Sequence, residues 1–135
     1  MISLTFESFM NQRYNAKQAD YQLYVVRDDR QVYYVGISKR GVWSRWFGNR
    51  GRMQQNAGGY WVSTDSISRE IVEHWPQSLN YMIDLYTLAD CQSFMAGKVD
   101  DPRFFSDRCR IDDLEPVMID LLRPSLNGTY NTYRR

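Results

Sequence analysis

Residues 21–38 read YQLYVVRDDRQVYYVGIS, and this stretch decides the fold class. Its two flanks, 21–27 and 32–38, are dense in β-branched and aromatic residues, the types that suit a pleated, half-buried surface. Between them, Asp28-Asp29-Arg30-Gln31 is polar and suited to a turn, so the spacing predicts a β-hairpin. Leu23 and Val25 share one face of the first strand, and Tyr33, Val35 and Ile37 share one face of the second. Burying both sets together predicts that Leu23 faces Val35 and Val25 faces Tyr33. Tyr24 then stands opposite Tyr34 on the other face.

Working outward, residues 4–17 are read as an opening helix. After the hairpin, Trp43, Trp46 and Phe47 fall at helical spacing within Val42–Phe47, which predicts a short helix packed on the sheet with Arg45 pointing off its apolar stripe. Residues 48–64, with glycines at 48, 51, 58 and 59, read as a long mobile loop. A helix is predicted over 66–75, stopped before Pro76. Residues 79–88 supply a third strand, with Leu79, Tyr81, Ile83 and Leu85 on one side. The last helix spans 113–123, carries Leu114, Val117, Met118, Leu121 and Leu122 at helical spacing, holds Pro116 in its first turn and ends at Pro124. The expected class is therefore α/β of the α+β kind: a small, mainly antiparallel three-stranded sheet flanked by helices. At 135 residues the chain is read as a single domain, 1–135, with an N-terminal extension over 1–20 and a tail over 128–135.

Composition excludes several classes. Hydrophobic residues at 43% and charged residues at 24% are globular values, which excludes a disordered or collagen-like chain. No apolar run approaches the roughly 18–20 residues of a membrane helix, and no secretory leader pattern opens the sequence, so no membrane partner and a cytoplasmic location are expected. Cys91 and Cys109 have no companions to complete a zinc site and are read as free, buried thiols. The one histidine, His74, is read as incidental or structural.

Net charge is only +1, but its distribution is uneven: from Arg30 through Thr64 there is no Asp or Glu, while Arg30, Lys39, Arg40, Arg45, Arg50 and Arg52 all lie there. The region is either a phosphate-facing surface or a solvated loop whose cations are answered by acids such as Asp100, Asp101, Asp112 and Asp113.

Leu23-Tyr24-Val25, then Tyr34-Val35-Gly36, then Arg45 eleven positions after Tyr34, then Glu115, and finally Pro124-Ser125-Leu126-Asn127 together resemble the GIY-YIG nuclease family, over about residues 21–127. The resemblance implies two strand tyrosines (Tyr24, Tyr34), an arginine on the following helix (Arg45), a metal-holding glutamate (Glu115) and a late asparagine (Asn127) as catalytic residues. Gln22 stands where the first motif has its leading glycine. Asn49, four residues past Arg45, occupies about the place of an accessory base helper found in some members.

These residue types suit phosphodiester hydrolysis. Mg²⁺ keeps several waters and takes only one or two protein carboxylates, so Glu115 alone can hold it, or Mn²⁺ in its place. Arg45 offers forked, permanently charged donors to phosphate oxygens. A phenol, with an ordinary pKa of about 10, needs a partner or a nearby cation to work as a base near neutral pH, and paired tyrosines supply one. Lys39, Arg40, Arg50 and Arg52 are candidate contacts to a DNA backbone, and Tyr60 or Trp61 a candidate platform for a base. Each residue also has a local reading: a cross-strand aromatic pair for the tyrosines, a solvated or stacked Arg45, a capping box formed by Asp112 and Glu115, a turn at Asn127 and loop anchors at Tyr60 and Trp61. The expected function is a metal-dependent DNA endonuclease. The alternative is a catalytically silent module of the same fold that holds nucleic acid or a protein partner.

Overall fold

The computed structural model describes residues 1–12 and 20–128. In chain order the elements are β1 (Ile2–Thr5), α1 (Phe6–Asn11), β2 (Tyr21–Arg27), β3 (Val32–Ile37), α2 (Val42–Phe47), β4 (Met53–Gln55), β5 (Trp61–Ser63), α3 (Ser66–Glu73), β6 (Met82–Thr87), α4 (Leu88–Met95) and α5 (Ile111–Leu122). An antiparallel sheet in the order β1-β6-β2-β3 forms the centre, and β4 and β5 pair separately. The α+β class expected from the sequence is what forms.

β2 lies between β6 and β3 with helices against both its faces, and Leu23, Tyr24, Val25 and Val26 are all buried. Alternation along the strand splits them between two cores. Leu23, Val25 and Val35 pack with Tyr86, Met95, Leu114 and Met118 under α4 and α5. Tyr24 and Val26 pack with Phe6, Trp46, Ile67 and Ile71 under α1, α2 and α3. Cys91 and Cys109 are free thiols buried in the first of these cores. His74 is paired with Glu70.

Four expectations change. The sheet has four strands because Ile2–Thr5, whose last two residues the sequence reading put in the opening helix, pairs with Met82–Leu85 as a strand; only a tertiary partner makes so short a segment extended. Helix α1 begins at Phe6, capped by the Thr5 hydroxyl, which accepts from the Ser8 N–H; the remainder of the expected helix runs into residues outside the described ones. Residues 48–64 contain the β4–β5 hairpin, closed by Asn56, whose side-chain oxygen accepts from the Gly58 and Tyr60 N–H groups at 3.0 Å each. Helix α5 starts at Ile111, two residues before the expected start, which moves Pro116 from the first turn to the second.

The hairpin register also differs. Leu23 pairs with Ile37, Tyr24 with Gly36, Val25 with Val35 and Val26 with Tyr34. This is a two-residue slip from the expected pairing, and it leaves the same side chains on each face because the side-chain period is two. A bulge between Val26 and Arg27 removes Tyr33 from the alternation. Tyr33 instead stacks on Tyr81 at 4.9 Å and donates to Asp28 at 2.6 Å.

After α5, Arg123 takes a left-handed conformation (φ 54°), and the chain turns along the outer edge of β3. The Ser125 N–H donates to the Val32 carbonyl at 3.0 Å and the Leu126 N–H to the Tyr33 carbonyl at 2.8 Å. An edge strand that would otherwise show bare polar groups is covered by its own chain.

Candidate active site

Tyr24 and Tyr34 project from β2 and β3 on the same face, toward α2. Tyr24 lies opposite Gly36 rather than Tyr34, so the two phenols are diagonal neighbours, with ring centroids 6.3 Å apart and planes inclined by 27°. Gly36 makes this possible. A Cβ built there would lie 2.4 Å from the Tyr24 hydroxyl and 2.5 Å from Cζ, so the Tyr24 ring lies across a position that only glycine leaves open.

Arg52, just before β4, reaches both phenols. Its Nε donates to the Tyr24 hydroxyl at 2.7 Å and one Nη to the Tyr34 hydroxyl at 3.2 Å. The other Nη pairs with Asp65, the residue that caps α3. The guanidinium carbon sits 4.8 Å from the Tyr34 ring centroid, 5.6 Å from that of Tyr24 and 5.7 Å from that of Trp46. Arg52 is only 5% exposed. A buried cation needs this company, because its desolvation is offset only by a paired charge and well-placed acceptors. The sequence reading placed Arg52 on the surface with Arg50 as a contact to a nucleic-acid backbone; its burial overturns that.

The two tyrosines sit in different surroundings. Tyr24 is fully buried, and burial pushes its phenol far above the ordinary range, against the pull of Arg52 and Arg45. Tyr34 is only half-buried. Glu115, on α5, is half-buried too. Burial first, then the neighbouring charge of Asp112, raise its carboxyl pKa, while Arg52 lowers it. Its carboxylate makes no hydrogen bond or ion pair among the described residues. The capping role that competed for it belongs to Asp113, whose side chain accepts from the Arg110 N–H at 3.0 Å.

Arg45 is exposed and points off the buried side of α2, as its spacing predicts. It lines an open cavity of about 870 Å³ together with Lys39, Arg40, Asn49, Arg50 and Asp112. The cavity therefore carries four cationic side chains against one carboxylate, and Lys39 is already paired with that carboxylate at 2.7 Å. Asn49, the position considered for a base helper, also opens onto this cavity.

The remaining candidates bond neither phenol nor Arg52. Asn127 is committed to the scaffold: its side-chain oxygen accepts from the Val35 N–H at 2.9 Å and its amide donates to the Val35 carbonyl at 2.8 Å. It fastens the chain to β3 next to Tyr34 and Gly36, and the catalytic assignment gives way to a supporting one. Trp61 is half-buried between Phe47 and Trp75, with centroids at 5.8 and 6.2 Å, so it anchors β5 instead of offering a base a platform. Tyr60, beside the hairpin turn, is 74% exposed.

Two members of the constellation escaped the sequence. Asp65 is legible as a helix cap from Asp65-x-x-Ser68, but its bond to Arg52 is not. Arg52 differs from Arg50 by nothing local; only the fold of the β4–β5 hairpin onto α2 and α3 turns one inward and leaves the other out. No protein-family model, no curated protein and no solved structure matches the chain.

Among the described residues there is no cluster of three or more His, Cys, Asp or Glu able to hold an ion, which leaves no all-protein cage. A single carboxylate without a protein partner, with a second carboxylate close enough to raise its pKa, matches a hard cation that keeps most of its waters.

Proposed function

We propose that this protein is a divalent-metal-dependent endonuclease that hydrolyses DNA phosphodiester bonds. One observation carries the reading: two strand tyrosines separated in sequence, and so far known only as a pattern, meet at one guanidinium whose field also reaches Glu115. Beside them lies a cavity lined by Arg40, Arg45 and Arg50. The order of Tyr24, Tyr34, Arg45 and Glu115 along the chain, which resembles the GIY-YIG nucleases, supports the same reading.

In this proposal Arg40 and Arg50 draw a backbone phosphate into the cavity, and Arg45 donates to its non-bridging oxygens as negative charge builds on them. Tyr34, half-buried where Tyr24 is sealed, is the phenol assigned to the attacking water. In its ionised form it accepts the proton of the attacking water as the new P–O bond forms and the bond to the leaving oxygen breaks. Tyr24, sealed in the core with its pKa raised, holds Arg52 and the packing around Tyr34 in place. Glu115 would hold Mg²⁺ or Mn²⁺, which supplies charge neutralisation at the phosphate and the leaving alkoxide.

Nicking of supercoiled plasmid tests the reading. The purified protein is expected to nick with Mg²⁺ or Mn²⁺ and to stop in EDTA. Glu115→Gln and Arg45→Ala are each expected to lower the rate by roughly 100-fold or more while the protein stays folded. Full activity in EDTA, or wild-type activity in Glu115→Gln, rejects the proposal.

A second reading has its own support. Asn127 is engaged in the scaffold and Tyr24 is closed to solvent, as in a domain that keeps the architecture to hold nucleic acid or a protein partner without cutting. Retained DNA binding with no nicking under any divalent cation selects that reading.

A further inference from the structure

We infer that Arg52 is the positioning residue of the site, fixing the phenol of Tyr34 against Tyr24 through a buried fork shared by Tyr24, Tyr34 and Asp65. This rests on the reading of the site given above and adds a residue to it.

The geometry is that of a clamp. Arg52 reaches Tyr24 on β2 through Nε, Tyr34 on β3 through one Nη and Asp65 at the head of α3 through the other. The planar guanidinium fixes the angles between these three directions, so moving one partner moves the others. Both phenol oxygens accept from Arg52. A hydroxyl that accepts from a cation directs its own proton elsewhere, so the Arg52 bond constrains the Tyr34 hydroxyl as a donor too. Stacking of the guanidinium over the Tyr34 ring at 4.8 Å restrains the ring plane as well as the hydroxyl.

A purely stabilising buried arginine needs one carboxylate and whatever acceptors lie nearest. Here Asp65 already supplies the countercharge, and two of the remaining donor directions are used on the tyrosines. Neither bond is required by the sheet or by α3, since the β2–β3 ladder and the Asp65 cap form with backbone partners and with Ser68. Lysine at 52 keeps the charge but presents a point cation on a flexible stem, which cannot hold three partners at fixed angles.

Two measurements test this on the full chain. The first does not depend on cleavage. With ring-labelled ¹³C-tyrosine, the Cζ resonances of Tyr24 and Tyr34 are compared in the wild type, Arg52→Lys and Arg52→Met, with thermal unfolding confirming that each variant is folded. Tyr24 and Tyr34 are expected to shift in both variants while Tyr60, exposed on the hairpin, stays in place. An unmoved Tyr34 overturns the inference, whatever the enzyme does.

The second is single-turnover cleavage of a labelled duplex with Mn²⁺ over a range of pH. Arg52→Lys is expected to lose roughly 10-fold or more in the cleavage rate with little change in KM. Arg52→Lys combined with Tyr34→Phe is expected to be no slower than Tyr34→Phe alone. Multiplicative losses in the double variant overturn the positioning role even if the wild type cleaves. Absence of cleavage in the wild type removes the nuclease reading and leaves the resonance test to decide the clamp.

Discussion

At the level of single residues, Glu115 carries a conflict between stability and use. Its carboxyl pKa is raised by burial and by Asp112, so the folded state holds the proton more tightly than the unfolded chain does. The sign follows from linkage: an acid whose pKa rises on folding costs stability once it ionises, and the cost is complete above the folded value. Below the ordinary glutamate range both states are protonated and the cost vanishes. Glu115→Gln is therefore expected to raise Tm at pH 7–8 and to match the wild type near pH 3. Mg²⁺ or Mn²⁺ is expected to raise Tm of the wild type alone, by mass action on the folded state. A Tm for Glu115→Gln below that of the wild type at neutral pH rejects this account. Arg52 shows the opposite balance, a buried charge held by a carboxylate, by the hydroxyls and rings of two tyrosines and by the Trp46 ring. Nothing in the triplet Gly51-Arg52-Met53 distinguished it from its exposed neighbour Arg50, because burial of an arginine is decided by what folds over it.

Among the elements, the β2–β3 hairpin does most to build the site. Gly36→Ala places a methyl group where the buried Tyr24 ring lies. The ring cannot withdraw without disturbing Trp46, 5.8 Å away, or Arg52. The substitution is expected to cost about 1–3 kcal/mol, read as a lower urea midpoint with an unchanged slope. A change under about 0.5 kcal/mol, the scatter of ordinary surface substitutions, rejects the close approach. The hairpin itself was legible, since alternation and the polar tetrapeptide at 28–31 announce two paired strands. Its register was not, because pairing Leu23 with Val35 or with Ile37 buries the same apolar face and the slip is silent in the pattern. The bulge that turns Tyr33 toward Asp28 and Tyr81 was equally hidden, for its partners arrive from elsewhere in the fold. Helix α5 was legible from Leu114, Val117 and Met118. Its start was misplaced because Asp112 and Asp113 both suit a helix entrance, and the backbone chose Asp113 as the partner of Arg110. The β4–β5 hairpin was missed because its glycines and asparagine resemble a loop, and two strands of three residues each carry little pattern.

Over the whole molecule, charge is nearly balanced yet segregated, and a cavity of about 870 Å³ gathers Lys39, Arg40, Arg45 and Arg50. If phosphates enter there, Arg40→Ala and Arg50→Ala are each expected to reduce the salt dependence of DNA binding by about one unit of log–log slope. Lys39→Ala is expected to reduce it less, since Asp112 already answers that charge. Arg52→Lys is expected to leave it unchanged, since neither cation meets the substrate backbone. An unaltered slope in Arg40→Ala and Arg50→Ala removes the cavity as the binding surface. No helix among the described residues is long and apolar enough to cross a membrane. From the chain alone came the α+β class, the hairpin, the short helix that displays Arg45, the late amphipathic helix and the ordered set Tyr24, Tyr34, Arg45 and Glu115. The class, the hairpin and the helices follow from periodicity and local chemistry, which act between near neighbours and are written in the order of residues, whereas the ordered set came from a family resemblance. Only the tertiary structure decided that Tyr24 is sealed and Tyr34 is not, that Asn127 fastens the edge of β3, and that Arg52 joins strands and helix from within. Such facts depend on which distant surfaces exclude water from a side chain, and burial is a property of the packed whole that no local spacing records.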